Sequence, residues 1–164
     1  MAAMRNFLGF IAFCAFCSAQ NCDYSSNDQQ VTWRIQNGSM LITYQKLNAR
    51  NNEWSAIAWG ERMQNLKVLV FEVNNNRVSV KTGSTSGYGP PQLDNQLRGT
   101  VQNVQYTGNT LKAVVNVPLN INDINLQACQ TWNFISSGPL NNGQIGYHTS
   151  PPVQIQNVCP EHCL

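Results

Sequence analysis

Apolar residues along this chain recur at every second position far more often than at every third or fourth. Val31, Trp33 and Ile35 alternate with polar residues, and after Asn37-Gly38 the alternation resumes at Met40, Ile42 and Tyr44. Two period-two runs around an Asn-Gly predict a β-hairpin closed by a tight primed turn. A polar stretch, 46–53, leads into Trp54-Ser-Ala-Ile-Ala-Trp59, a buried strand ended by Gly60, with Met63 three residues beyond. Val68–Val73 predicts a strand buried on both faces for part of its length, turned by three asparagines into Val78–Val80. Residues 82–99, centred on Gly87-Tyr-Gly-Pro-Pro91, read as a long loop of the kind that is usually functional or mobile. Strands follow at 101–106, 111–117, 131–135, 145–148 and 153–158, with a helical turn or irregular crossover expected over 120–128. About nine short strands with turn signals between them predict an all-β antiparallel sandwich or barrel.

The first nineteen residues break this pattern. One positive charge at Arg5, an apolar run from Phe7 to Phe16 and small residues to Ala19 have the form of a secretory signal peptide. The run is shorter than the roughly 20 apolar residues that span a bilayer. Cleavage after Ala19 leaves residues 20–164 as one domain, with neither a second spanning stretch nor a hydrophobic tail for a lipid anchor. The expected location is therefore extracellular. Ten Lys and Arg, one of them Arg5, face eight Asp and Glu. That balance argues against nucleic-acid or polybasic membrane partners, which need a concentrated positive field.

Cys22, Cys129, Cys159 and Cys163 remain after the signal peptide, an even set that predicts two disulfides in an oxidising compartment. Pairing Cys159 with Cys163 would close a tiny loop containing Pro160. The favoured pairing joins Cys22 to one of these two and Cys129 to the other, each bridge worth roughly 3–5 kcal/mol by loop entropy. Cys159-Pro-Glu-His162-Cys163 could be read as zinc ligands, but in a secreted chain disulfides are the stronger reading. Asn37-Gly38-Ser39 is also an N-glycosylation sequon on an exposed turn.

Catalytic groups are scarce. Only two histidines are present, His148 and His162, and no Gly-x-Ser-x-Gly elbow or phosphate-cradling loop occurs. Met63 and His148 each follow an apolar strand with a glycine close by. A thioether and an imidazole form the axial pair that holds a haem iron at relatively high potential. On the residues alone, core filling is the stronger reading of Met63, and a satisfied, partly buried histidine that of His148.

The ordered set of strands alters that balance. Trp33-Arg-Ile35 and Met40–Tyr44 come first, then Trp54-Ser-Ala-Ile-Ala-Trp-Gly60 with Met63, then Val68–Val73. Trp132-Asn-Phe-Ile135 leading to Gly138-Pro139 and Tyr147-His-Thr149 complete it. Over residues 22–158 the chain resembles the DOMON domain family. The resemblance implies an immunoglobulin-like β-sandwich that binds haem or sugar, with Met63 and His148 at the positions of the iron ligands in haem-binding members. Many members follow the Met with small residues and an acid, where this chain has Gln64-Asn-Leu-Lys67.

A b-type haem needs an apolar slot, for which Trp54, Trp59, Phe71, Tyr88, Trp132 and Tyr147 are candidate walls and Arg62 a candidate partner for a propionate. With both axial positions filled, one-electron transfer to or from an extracellular redox partner is expected rather than catalysis. The competing expectation is a module that binds carbohydrate or another extracellular ligand without haem, framed by the aromatics and the 82–99 loop.

Overall fold

A computed structural model describes residues 22–121 and 123–163. The signal peptide expected over residues 1–19 lies outside them. The described residues form fourteen strand segments: β1 (Asp23–Ser25), β2 (Gln29–Gln36), β3 (Ser39–Lys46), β4 (Glu53–Trp59), β5 (Gln64–Asn74), β6 (Arg77–Ser86), β7 (Gln92–Leu93), β8 (Thr100–Thr107), β9 (Thr110–Pro118), β10 (Asn120–Ile121), β11 (Ile124–Asn125), β12 (Gln130–Asn141), β13 (Gln144–Ile145) and β14 (Val153–Val158). Apart from β10 and β11, which form a separate two-stranded sheet, twelve of them build two antiparallel sheets packed as a sandwich. One has the order β1-β2-β3-β9-β8, and the other β13-β12-β4-β5-β6-β7 with β14 also paired to β12.

Period-two patterning decides the inner face. Val31, Trp33, Met40, Ile42, Tyr44, Leu111, Ala113, Val115 and Val117 from the first sheet meet Ile57, Trp59, Leu69, Phe71, Trp132 and Phe134 from the second. Aromatic pairs cross this interface. Tyr44 stacks on Phe71 at 3.9 Å between centroids, and Trp33 meets Trp132 at 4.5 Å. Trp59 stands edge-on to Trp132 at 89°. Such pairs add roughly 0.5–1.5 kcal/mol each beyond the area they bury.

The β2–β3 hairpin forms in the expected register, with Asn37 (φ 51°) and Gly38 (φ 72°) as its two central residues. Both lie in the left-handed region that a primed turn demands. The same geometry recurs at Asn75-Asn76, Gly108-Asn109 and Asn142-Gly143, so asparagine supplies most of the turns. Two expectations change. Residues 77–86 form one long strand and 92–93 pair with it, so much of the 82–99 stretch is sheet. Asn120–Ile121 pair with Ile124–Asn125 as the small β10–β11 hairpin, where a helical turn or irregular crossover was expected.

One end of the sandwich is closed by buried polar groups. Gln29 Nε2 donates to Tyr44 Oη (3.0 Å) and to the Ile135 carbonyl (3.2 Å), and Tyr44 Oη donates to Ser55 Oγ (2.7 Å). Burial pushes the Tyr44 hydroxyl well above the usual tyrosine range. Nearby, Lys46, 4% exposed, donates to Asp28 Oδ2 at 2.9 Å and lies 3.6 Å from Glu53, while Ser136 Oγ donates to Asp28 Oδ2 at 2.7 Å.

The disulfides are Cys22–Cys163 and Cys129–Cys159, with sequence separations of 141 and 30. The first binds the two ends of the described chain together, and the second ties the start of β12 to the residue after β14. On loop entropy alone they contribute about 5 and about 3.5 kcal/mol. Replacing Cys22 and Cys163 by alanine should therefore lower urea-unfolding stability more than replacing Cys129 and Cys159.

Acid should act through Asp28. Burial raises its carboxyl, but hydrogen bonds from Lys46, Ser136 and Ser26 and the Lys46 charge outweigh that and hold it below the ordinary 3.8. A carboxyl depressed in the folded state gives stability that is present above the unfolded pKa and lost as pH falls through the folded one. Glu53 shifts the other way, pushed up by burial against the attraction of Lys46 and Arg50. Asp28→Asn should thus flatten the fall in unfolding free energy below about pH 4, read by denaturant titration at stepped pH.

Candidate cofactor site

The second sheet has an outer face, and β4 shows why it is hollow. Ile57 and Trp59 point into the sandwich core, whereas Trp54, Ala56 and Ala58 point outward with Leu66, Val68, Val70, Ile135 and Leu140. Two alanines in mid-strand leave volume that larger side chains would fill. A cavity of about 520 Å³ lies over them, its floor made by Ala56, Ala58, Val68, Val70 and Ile135. That size suits a small-molecule or cofactor site, which usually spans roughly 300–1,000 Å³.

Met63 and His148 both line this cavity, as do Arg62, Tyr147, Trp54 and Tyr88. They reach it from opposite ends of β4. Met63 stands on the turn after Trp59, while the segment carrying His148 is bonded to Trp54 at the other end. Arg62 is exposed at the rim, and Tyr88 and Tyr147 are 86% and 72% exposed on its lips. Trp59 does not line the cavity. It is fully buried on the core face against Trp132, because odd-numbered positions of β4 point inward. Phe71 and Trp132 lie in that core for the same reason.

His148 is held in one tautomer. Its Nδ1 lies 2.8 Å from the Ser150 carbonyl oxygen, which can only accept, so Nδ1 is the nitrogen that carries the proton when the ring is neutral, and Nε2 is the one left to bind. The segment around it is pinned at both ends. Trp54 Nε1 donates to the Gly146 carbonyl at 3.2 Å, and Gly146 N–H donates to the Pro139 carbonyl at 2.9 Å. Thr149 N–H donates to the Ser137 carbonyl at 2.8 Å, and the Ser137 and Thr149 hydroxyls lie 2.6 Å apart. A bulge in β12 between Ile135 and Gly138 swings both serines out of the ladder with β4. Gly138 is required beneath Trp54, because a Cβ there would overlap the indole.

The methionine arm is fixed by polar groups that sequence reasoning missed. Gly60 has φ 126°, conformational territory for glycine, and its N–H donates to the Thr131 carbonyl at 3.0 Å. Asn133 Nδ2 donates to the Gly60 carbonyl at 2.8 Å, and Gln154 Nε2 donates to Asn133 Oδ1 at 3.1 Å. Thr85 bridges the Met63 carbonyl and the Leu66 N–H. Asn133 carried a faint signal, as a polar residue inside Trp132-Asn-Phe-Ile135. Thr85 and Gln154 carried none.

Cys129, Cys159, Cys22 and Cys163 are all consumed in disulfides, which removes the zinc reading of the C-terminal cluster. Asn37 is exposed at its turn. Among the described residues no helix is long and apolar enough to cross a membrane, and the two disulfides are compatible with an extracellular protein.

Fold and site together define an all-β sandwich with an apolar outer-face pocket walled by a thioether and an imidazole. The DOMON domain family model matches residues 25–138. DOMON domain-containing proteins of Caenorhabditis elegans and Caenorhabditis briggsae are each 37% identical to the chain, over 152 and 155 residues that cover 89% of it and 90% of them. The chain belongs to the DOMON domain family. Among solved structures, the cytochrome b domain of pyranose dehydrogenase from Coprinopsis cinerea superposes with a TM-score of 0.67 at 13% identity, covering 87% of this chain and 83% of that one. The cytochrome domain of Myriococcum thermophilum cellobiose dehydrogenase gives 0.60 at 10% identity, covering 86% and 82%. These likenesses show the fold.

The glycine under Trp54 provides a test of the histidine arm. Gly138→Ala should destabilise the protein by about 1–3 kcal/mol through overpacking. It should also speed hydrogen exchange at Gly146 and Thr149, while a surface control such as Gln105→Ala leaves both unchanged.

Proposed function

We propose that this protein binds haem b in the outer-face cavity, with Met63 and His148 as axial ligands, and serves as a secreted one-electron carrier for an extracellular redox partner. One observation carries the reading: Met63 and His148 line the same apolar cavity, and His148 Nδ1 is committed to the Ser150 carbonyl, which leaves Nε2 of the neutral ring as the ligating nitrogen. A ligating histidine characteristically has its second nitrogen committed in this way, which fixes the ring and strengthens the donor. The likeness to cytochrome b domains supports the reading at the level of fold.

Held by Met63 and His148, the group would supply reversible one-electron storage. The remaining work belongs to the chain. Ala56, Ala58, Val68 and Val70 exclude water from the pocket floor. The Met63 thioether, a soft and weak donor, favours the reduced state and so a higher potential. Arg62 at the rim offers a cation for a propionate. An electron carrier rather than an enzyme is the role this arrangement fits.

A second reading, a carbohydrate- or ligand-binding module without haem, draws on Tyr88 and Tyr147, whose rings stand exposed on the cavity lips and could stack on a sugar.

Titration of the disulfide-bonded protein with haem decides between them. The proposal expects saturable uptake at one site, a shifted Soret band and a sharpened α-band on reduction. Met63→Ala and His148→Ala should each abolish the six-coordinate spectrum. A spectrum no different from free haem, alongside saturable binding on a glycan array, would favour the second reading.

A further inference from the structure

The strand that faces the methionine arm is β6, and one residue on it makes contacts that the haem reading does not by itself require. The β5–β6 ladder pairs Gln64 with Ser86 and Lys67 with Ser84. Two residues of β5, Asn65 and Leu66, therefore stand opposite one residue of β6, Thr85. This is a β-bulge, and Asn65 takes φ 65° within it. Thr85 is 6% exposed and lines the cavity. Its hydroxyl accepts from the Leu66 N–H at 3.0 Å and donates to the Met63 carbonyl. Both directions are settled, because an amide N–H only donates and a carbonyl only accepts.

Leu66 is itself buried in the cavity floor, and a Cβ on Gly60 would press against its side chain. The Thr85 hydroxyl thus clamps the bulge across the residues between Met63 and Leu66. Gln64 and Asn65, the residues between those two ends, are both exposed, and only Gln64 pairs in the ladder, with Ser86.

We infer that Thr85 is the positioning residue for Met63: its hydroxyl fixes the backbone that presents the thioether, and so sets how firmly that thioether ligates. The inference rests on the haem reading for its ligation half, while the backbone half stands without it. Its hydroxyl bonds the backbone of Met63 and not the sulfur, so it acts on ligation by placing the methionine, and the serine variant separates that effect from the contribution of the Thr85 methyl group to the lining. Valine at this position keeps the shape and removes both hydrogen bonds, leaving the Leu66 N–H and Met63 carbonyl without their partner.

The test compares wild type with Thr85→Val, Thr85→Ala and Thr85→Ser, first without haem and then loaded. In the haem-free protein, hydrogen exchange at the Leu66 amide should rise at least tenfold, by order of magnitude, in the valine variant. Thr85→Ser, which keeps the hydroxyl, should stay close to wild type. After loading, Thr85→Val should lose the methionine-to-iron charge-transfer band of the oxidised form. Once the oxidised form has released Met63, the midpoint potential should fall by about 59 mV for each further tenfold loss in effective methionine concentration, the one-electron conversion. The serine variant should restore both.

Equal Leu66 exchange and equal potential in wild type and Thr85→Val would overturn the inference while leaving haem binding intact. So would a serine variant shifted as far as valine, since that would assign the effect to the methyl group. Should valine fail to fold, the alanine variant carries the same comparison with the same reversal. If wild type takes up no haem, the functional proposal falls, and the Leu66 exchange still decides whether Thr85 holds the methionine arm.

Discussion

Everything at the candidate site depends on the pleat of β4. Successive side chains of a strand point to opposite faces, so a seven-residue strand must satisfy two surroundings at once. On the inner face Ile57 and Trp59 fill the space between the sheets. On the outer face Ala56 and Ala58 leave space open. A slip of one residue would place Trp59 in the pocket and an alanine in the core, losing both cavity and packing. The heavy aromatic interior around Trp59 and Trp132 therefore does more than stabilise the sandwich. It fixes the register that keeps small residues under the pocket.

The second constraint is that polar groups buried in an apolar wall must find partners. Around this cavity those partners are the backbones of the two arms that carry Met63 and His148. Asn133 and Thr85 bind the turn after β4, and Trp54 binds the segment before His148. None of these side chains offers a soft metal ligand, yet all are within or beside the lining. Their hydrogen bonds turn two connecting segments, ordinarily the loosest parts of a sandwich, into fixed supports. Bulges in β12 and β5 make this possible by releasing the ladder where Ser137 and Thr85 take over.

How much of this was legible follows from the same physics. The β2–β3 hairpin could be read because an Asn-Gly between alternating runs has few other uses. The pairing of Cys22 and Cys129 with the two tail cysteines followed from the short loop around Pro160. On the residues alone Met63 read better as core and His148 as a satisfied histidine; the family resemblance singled them out, and both line one cavity. Trp59 was misassigned to the slot because Trp54, Ala56, Ile57, Ala58 and Trp59 are all apolar. A strand buried on both faces shows no alternation, so parity, which decides core from pocket, cannot be read from it. The long loop expected over 82–99 shortened because Gly83 permits close approach of β7, whose Gln92 backbone would collide with a Cβ there. Thr85 was invisible for a different reason: a threonine among serines and glycines announces nothing until the bulge opposite it is known.

Two side chains that line one cavity, the Met63 sulfur and a His148 nitrogen, are proposed to share one iron centre. X-ray absorption at the iron edge of the haem-loaded protein measures that centre directly. It should show one sulfur scatterer beside five nitrogens in the first coordination shell, four of them from the porphyrin and one from His148. A shell of nitrogen and oxygen alone, unchanged by Met63→Ala, would contradict the account.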